Sequence, residues 1–180
     1  EGAAVLGGRT LVLTTTLKAL ENIGAHLQQR FGLLEPMDVL VQGQGPKHVL
    51  IERFRAATVN GRGCVLVASS TFWEGVDVPG DALQLVVIDK LPFAAPDDPV
   101  FAARLEAIER AGVNPFRSEQ LPQAVIALKQ GVGRLLRSET DRGVLVLCDR
   151  RLLSRGYGKV FFKSLPPFSR RGPLPSWRGP

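Results

Sequence analysis

Short runs of apolar, often β-branched residues alternate with helical stretches along this chain, and that alternation restricts the possible folds most. Five runs have the character of strands, at 9–14, 38–42, 64–68, 83–89 and 144–148. The runs are almost continuously apolar, which is typical of strands that are buried on both faces of a parallel sheet. We therefore predict an α/β fold, a parallel sheet with helices on both faces.

The segments between the predicted strands carry apolar residues at helical spacing and have recognisable ends. The first helix is expected to begin at a cap formed by Thr15 or Thr16 and to end at Gly32. Asp98 followed by Pro99 is a second start signal, because it joins a capping carboxylate to a proline at the first helical position. Further helices are expected at about 49–59, 121–138 and 156–165.

Length and composition place the chain among ordinary globular domains. It has 180 residues, of which 44% are hydrophobic and 22% are charged, so it can bury the core of one domain. No stretch approaches the roughly 18 consecutive apolar residues that cross a bilayer, and no signal sequence opens the chain. We therefore expect a soluble, cytoplasmic protein with no membrane partner. Because the chain starts at Glu1 and not at a methionine, we also expect it to be part of a longer protein.

The two cysteines and the charge balance bear on the ligands. Cys64 and Cys148 adjoin apolar runs, where cysteine acts as a small hydrophobic residue, and two cysteines alone cannot hold a structural zinc ion or an iron–sulfur cluster. No metal site is expected. Lys and Arg outnumber Asp and Glu by 23 to 17, a net charge of +6, which favours polyanionic partners such as nucleic acid. Three of the arginines lie in the Pro-rich segment 168–180, which we expect to be a flexible tail.

Ligands of parallel α/β sheets collect at the carboxyl ends of the strands. The segments that follow the predicted strands are therefore where chemistry is expected: 14–16, 42–45, 69–80, 89–93 and 149–153.

The strongest local signal is the stretch Gln-Gly-Val-Gly-Arg-Leu-Leu-Arg at 130–137. In a helix, Gln130, Gly133, Arg134 and Arg137 fall within an arc of about 100°, and apolar residues take the opposite side. Two guanidinium groups on one turn suit a chain of phosphates. A glycine inside a helix costs about 1 kcal/mol relative to alanine, which suggests that a ligand approaches the backbone closely. The alternative is an ordinary solvated helix face.

Two further segments carry hydroxyl groups at the ends of predicted strands. Residues 69–80 read Ser-Ser-Thr-Phe-Trp-Glu-Gly-Val-Asp-Val-Pro-Gly. Their hydroxyl and N–H groups can hold a phosphate, and Glu74 and Asp77 can orient arginines or a metal-bound water. A strand-to-helix loop with a hydroxyl cap and an anchoring aromatic ring is the alternative. The three threonines at 14–16 have the same placement, with a plain helix cap as the alternative.

Taken in order, these segments resemble the C-terminal motor domain of superfamily 2 helicases, and most closely its XPD/DinG branch. Residues 11–16 are similar to motif IV of that family, 72–80 to motif V, 130–137 to motif VI, and 152–166 to the closing segment of the domain. The resemblance covers 9–167. It implies a RecA-like fold related to the P-loop NTPases, with 1–167 as the helicase domain and 92–118 as a helical insertion.

The resemblance also implies roles for individual residues. Arg134 and Arg137 would reach the γ-phosphate of ATP held by a partner domain, Arg137 as the arginine finger, and Gln130 would link the nucleotide state to domain closure. A second group would couple the DNA groove to the ATP cleft: Glu74, Gly75, Asp77 and Gly133. A third group would contact the backbone of single-stranded DNA: Thr15, Thr16, Ser70 and Thr71.

The residues that would complete an ATP site are absent from this sequence. It has no Gly-x-x-x-x-Gly-Lys-Ser/Thr loop and no Asp-Glu-Ala-His-like box, so the phosphate-binding lysine and the Mg²⁺-binding hydroxyl are missing. The resemblance therefore implies that ATP and Mg²⁺ bind mainly to an N-terminal motor domain of the same protein, and that this chain alone is inactive. An iron–sulfur cluster is possible in that other half, with none in this chain. The alternative is a non-catalytic nucleic-acid-binding module that reuses the fold, which the paired arginines disfavour.

Overall fold

Five strands form one parallel sheet. The computed structural model describes residues 2–34, 37–69, 72, 82–94, 98–133, 135, 142–169 and 172, with the backbone alone at 33, 34, 58 and 59. The strands are β1 (Thr10–Thr14), β2 (Met37–Val41), β3 (Gly63–Ser69), β4 (Leu85–Ile88) and β5 (Val144–Leu147). Their order across the sheet is β2-β3-β1-β4-β5, with every neighbouring pair parallel.

The helices occupy the connections between the strands. They are α1 (Gly2–Val5), α2 (Leu17–Leu34), α3 (Lys47–Val59), α4 (Pro99–Arg110), α5 (Leu121–Val132), α6 (Arg151–Ser154) and α7 (Gly158–Ser164). A π-helical turn, Phe116–Gln120, leads directly into α5. None of the described helices combines the length and the apolar character that crossing a bilayer requires.

The alternation of side chains along the strands divides the core into two layers. Leu11 and Leu13 of β1 pack in a cluster with α3, α5 and α7, whereas Val12 packs in a second cluster with α2 and α1. Successive side chains of a strand point to opposite faces of its sheet, so each layer takes every second residue. The predicted α/β fold with a parallel sheet covered on both faces is confirmed.

Helix α2 begins where the sequence predicts and ends later. The Thr16 hydroxyl accepts a hydrogen bond from the Ala19 N–H at 3.2 Å, so Thr16, one of the two candidates, is the N-cap. The expected end at Gly32 is wrong, because the helix continues to Leu34. A glycine ends a helix by adopting a positive φ, and Gly32 is not among the glycines that do so.

For the helices after β4, the prediction was also more accurate at the helix starts than at the helix ends. Asp98 caps α4 through its carboxylate, which accepts the N–H groups of Val100 and Phe101. Helix α5 starts at Leu121 as expected and ends at Val132, not near residue 138. The last predicted helix, 156–165, corresponds to α7, and the short α6 before it was not predicted.

Two glycines of α2 provide a matched test of the packing. A methyl group on Gly24 would lie 2.8 Å from a Val41 methyl carbon, whereas one on Gly32 would meet no atom within 4 Å. Gly32→Ala should raise the free energy of unfolding by about 0.5–1 kcal/mol through helix propensity. Gly24→Ala should lower it by about 1–3 kcal/mol through overpacking. Urea unfolding of both variants measures these changes, and equal stabilisation by the two would contradict the contact of α2 with β2.

Candidate functional site

The loops that follow the strands gather at one edge of the sheet, because all five strands run in the same direction. Ligands of such sheets bind at this carboxyl edge, where the strand order reverses. The chain passes from β1 outward to β2, returns through β3 and then crosses to β4 on the other side of β1. The reversal therefore lies beside β1, between the loops that follow β1 and β4.

The threonines after β1 are held by the backbone and by their neighbours. Thr14 is buried, and its position ends the pairing of β1 with β3. The N–H of Thr15 donates to a carboxylate oxygen of Asp89 at 3.1 Å. Thr16 is exposed and caps α2. Thr16 therefore forms the helix cap that the alternative predicts.

Asp89 ties the loop after β1 to the end of β4. One of its oxygens accepts the N–H groups of Thr15 at 3.1 Å and Lys90 at 2.6 Å. Burial raises the pKa of Asp89, and the two N–H donors oppose that rise only in part. The carboxylate thus fixes the backbone on both sides of the strand-order reversal.

Asp149, after β5, is held more tightly. Arg151 donates to it through Nε at 2.9 Å and through a terminal guanidinium nitrogen at 2.6 Å, and the N–H of Leu91 donates at 2.8 Å. Burial raises the pKa of Asp149, but these hydrogen bonds outweigh it and lower the pKa to about 2. The pair links the loop after β4 to the start of α6.

The loops after β2 and β3 meet in the same way. The Gln42 side-chain oxygen accepts the Ser69 N–H at 2.7 Å. Phe72 is buried, its N–H bonds to the Ser69 carbonyl at 3.1 Å, and the Lys47 ammonium lies 5.3 Å from its ring. An anchoring aromatic ring after a capping serine, one of the two interpretations of 69–80, is therefore present at its start. Five predicted site residues of this segment lie outside the described residues: Ser70, Thr71, Glu74, Gly75 and Asp77.

The end of α5 lies over the centre of the sheet. A methyl group on Gly131 would contact the side chains of Leu13 and Ile88, near the carboxyl ends of β1 and β4. Its neighbour Gln130 is exposed, while Leu128, Val132 and Leu135 are buried, as the predicted stripe requires. Arg134 and Arg137 lie outside the described residues.

Gly133 has a structural explanation that the sequence did not reveal. It is the C-cap of α5 and not an interior residue, and its N–H donates to the Lys129 carbonyl at 2.7 Å. A methyl group there would lie 3.1 Å from that carbonyl oxygen. The loss of helix stability expected for an interior glycine therefore does not apply.

A cluster of aromatic rings stands beside the carboxyl edge, and the sequence did not predict it. The Phe93 ring centroid lies 5.8 Å from that of Phe116, 5.9 Å from that of Tyr157 and 5.9 Å from that of Phe161. The Arg151 guanidinium lies 5.2 Å from the Phe93 ring, within the range of a cation–π interaction.

An open cleft of about 320 Å³, the aromatic cleft, adjoins this cluster. Helix α4 has no buried residue and lines one side of the cleft with Phe101, Ala102 and Leu105. The other side carries Phe93, Phe116, Tyr157 and Arg151. Phe93 and Arg151 fall inside the segments 89–93 and 149–153 that strand ends predict, but no spacing relates them to Phe116 or Tyr157. Packing of the π-helical turn against α7 brings these rings together, so periodicity alone cannot find the cleft.

Among the described residues, no group of three or more His, Cys, Asp and Glu side chains is placed to hold a metal ion.

The low pKa of Asp149 gives a pH-dependent prediction. Its contribution to stability is present above the ordinary pKa of 3.8 and is lost as pH falls toward the folded value of about 2. Asp149→Asn should lower the free energy of unfolding at pH 7 by about 1–2 kcal/mol, allowing for solvent screening. The difference from the unmodified chain should shrink as pH falls from about 4 to about 2.

A matched control is Asp38→Asn, which removes a carboxylate from an exposed pair with Arg62 at 3.3 Å. Exposed pairs contribute little, so this change should alter stability by less than about 1 kcal/mol. Urea unfolding at pH values from about 7 down to about 2 measures both variants. A pH-independent effect of Asp149→Asn would show that the ionised carboxylate is not what stabilises the loop.

Comparison with known proteins identifies the family. The model of the helicase C-terminal domain family matches residues 2–168. The chain is 50% identical over 163 residues to the ATP-dependent DNA helicase YoaA of Haemophilus influenzae, and the match covers 91% of this chain and 24% of that protein. It is 43% identical over 133 residues to the ATP-dependent DNA helicase DinG of Photobacterium profundum, and this match covers 74% of this chain and 19% of that protein. The chain thus spans about a quarter or less of the length of these relatives.

The fold has a solved counterpart as well. An XPD helicase structure superposes with a TM-score of 0.56 and 19% identity, over 91% of this chain and 30% of that one. That likeness concerns the fold, which is RecA-like. With the family match over nearly the whole sequence, the chain belongs to the helicase C-terminal domain family, together with its relatives, the YoaA and DinG helicases.

Proposed function

We propose that this chain is the second motor domain of an ATP-dependent DNA helicase, and that it supplies an arginine finger and contacts to single-stranded DNA. Its partner is an N-terminal motor domain of the same protein, which binds most of the ATP and its Mg²⁺. The family match and the relatives named as DNA helicases support this proposal.

One observation carries the proposal furthest. The end of α5 lies against Leu13 and Ile88, at the same part of the sheet from which Thr15 and Thr16 emerge. The start of the stretch 130–137 and the loop after β1 therefore share the carboxyl edge, although more than a hundred residues separate them in sequence. Such an edge is where a nucleotide cleft and a DNA groove can be coupled.

The arginines are proposed to act on the transition state. Arg137 and Arg134 follow α5, and Gln130 is exposed on its last turn. A guanidinium that meets charge developing on the γ-phosphate accelerates hydrolysis without adding much to ground-state binding. The coupling roles of Glu74, Gly75, Asp77 and Gly133 remain part of this proposal. For Gly133 the argument from an interior helix position no longer applies, because it is the C-cap of α5. An iron–sulfur cluster, if the longer protein has one, would belong to residues outside this chain.

The DNA groove is proposed to run along the carboxyl edge into the aromatic cleft. Thr15, Thr16, Ser70 and Thr71 offer hydroxyl and N–H donors of the kind that bind phosphates. The aromatic cleft beside the carboxyl edge offers the rings of Phe93, Phe116 and Tyr157, and aromatic stacking binds bases with little regard to sequence. A non-catalytic binding module would use the same groove but would have no use for Arg137, so the two functions are separable by experiment.

Arg137→Ala separates them in the protein that contains both motor domains. It should reduce DNA-stimulated ATP hydrolysis by on the order of 10³-fold or more, the scale at which arginine fingers act, with DNA affinity nearly unchanged. Arg134→Ala should behave similarly, and Arg137→Lys should not restore the rate because an ammonium lacks the guanidinium fork. The readouts are steady-state hydrolysis and strand affinity, with circular dichroism to check folding. Wild-type hydrolysis in Arg137→Ala would leave the binding module as the better account.

Thr16 gives a second separation, between DNA contact and helix capping. Thr16→Ala removes the cap of α2 and should cost about 1 kcal/mol of stability, so weaker DNA binding alone would be ambiguous. Thr16→Asp keeps a capping oxygen and adds a charge that repels phosphate. We expect Thr16→Asp to bind single strands more weakly than Thr16→Ala while unfolding no more easily than the unmodified chain. Fluorescence anisotropy and thermal unfolding measure the two effects. If Thr16→Asp binds as well as the unmodified chain, Thr16 is only a cap.

A further inference from the structure

The helices after β5 carry a line of cations with no acid among them. The segment 150–169 contains five Arg and Lys residues and no Asp or Glu. One of the five, Arg151, is bound to Asp149. The other four are exposed, and none forms an ion pair with an acid among the described residues: Arg150, Arg155, Lys159 and Lys163. We call these four residues the basic strip.

The basic strip lies on two short helices that pack closely against each other. The N–H of Gly158 donates to the Arg155 carbonyl at 3.0 Å, so a tight turn joins α6 to α7. A methyl group on Gly158 would clash with the Leu152 carbonyl oxygen, which shows how closely the two helices approach. Lys159 and Lys163 are four residues apart in α7, so they share one face about 6 Å apart along the axis.

The basic strip continues from the aromatic cleft. Arg150 is the N-cap of α6 and precedes Arg151, which lines the cleft. Tyr157, between Arg155 and Lys159 in sequence, lines it too. The inner sides of α6 and α7 thus form the cleft and the core, and their outer sides carry the unpaired charge.

The helix that packs against α7 adds no acid in its described range. Helix α7 packs against α5, whose twelve residues include no Asp or Glu and one exposed lysine, Lys129. A surface with four unpaired cations and no acid attracts a polyanion along its length. Leu153 and Val160 are exposed on the same two helices, but single apolar residues are ordinary on protein surfaces.

We infer that the basic strip holds the phosphate backbone of a nucleic-acid strand beyond the aromatic cleft and so lengthens the binding footprint of this domain. The inference rests on the proposed DNA groove and extends it to residues with no part in that groove. The basic strip adjoins the aromatic cleft, whose rings can stack on bases. This continuity favours a nucleic acid over an acidic protein, which has no bases to stack.

The test compares two charge-matched double variants on two strand lengths. Lys159→Gln with Lys163→Gln removes half of the strip, and Arg30→Gln with Arg53→Gln removes two exposed cations from α2 and α3. Oligothymidylates of about 8 and about 24 nucleotides are titrated by fluorescence anisotropy, since single domains occupy about 4–16 nucleotides. Thermal unfolding checks that each variant is folded.

The strip variant should lose most of the affinity that the longer strand gains over the shorter one. Its slope of log K against log salt on the longer strand should fall in magnitude by about 1.4, since each lost phosphate contact contributes about 0.7. The α2–α3 variant should keep both the gain and the slope. Binding of the shorter strand should be the same in all three proteins.

The other outcomes contradict different claims. If the unmodified chain binds both strands and the strip variant keeps its slope and its length gain, the basic strip serves another partner, such as an acidic protein, and only the further inference fails. Equal losses in the two double variants would show an effect of net charge alone and would also overturn it. If the unmodified chain binds neither strand at low salt, the proposed groove fails together with its extension.

Discussion

Strand β1 pairs in parallel with β3 on one side and with β4 on the other, and this double pairing sets the position of everything else in the domain. All five of its residues are buried, so the strand can lie only in the interior of the sheet. Because β2 and β3 lie to one side and β4 and β5 to the other, the loops that leave β1 and β4 diverge. The crevice between them follows from the strand order and requires no particular side chain.

Side-chain oxygen atoms complete what the strand order begins. Asp89 accepts N–H groups from the loops after β1 and β4, Asp149 joins the loop after β4 to α6, and Gln42 joins the ends of β2 and β3. Each group satisfies backbone donors that no strand partner can reach, which buried backbone requires. The described residues at the starts of these loops are therefore held without a ligand.

Patterns within a short window predicted most of the fold. The apolar runs, the caps at Thr16 and Asp98 and the buried stripe of α5 all follow from the spacing of neighbouring residues. The ends of helices were less predictable. Gly32 lies inside α2, because a glycine with ordinary helical angles does not stop a helix. Helix α5 ends at Val132, earlier than its apolar stripe suggests.

The candidate site was likewise predicted from the sequence only in part. Strand ends pointed to the segments that hold Thr15, Asp89 and Asp149, and the family resemblance pointed to Gln130 and the arginines after it. The aromatic cleft was not predicted, because Phe93, Phe116 and Tyr157 come from three elements that only tertiary packing brings together. The basic strip could have been seen in the sequence as a stretch without acids, but its exposure and its link to the cleft needed the structure.

The central claim is that this edge is one half of an ATP site, complete only with a second motor domain. Steady-state ATP hydrolysis by the purified 180-residue chain, with Mg²⁺ and with and without single-stranded DNA, tests it most directly. The chain lacks the phosphate loop and its lysine, so we predict no turnover above background, in a sample shown by circular dichroism to be folded. Turnover well above background that DNA stimulates and that Arg137→Ala abolishes would contradict the claim.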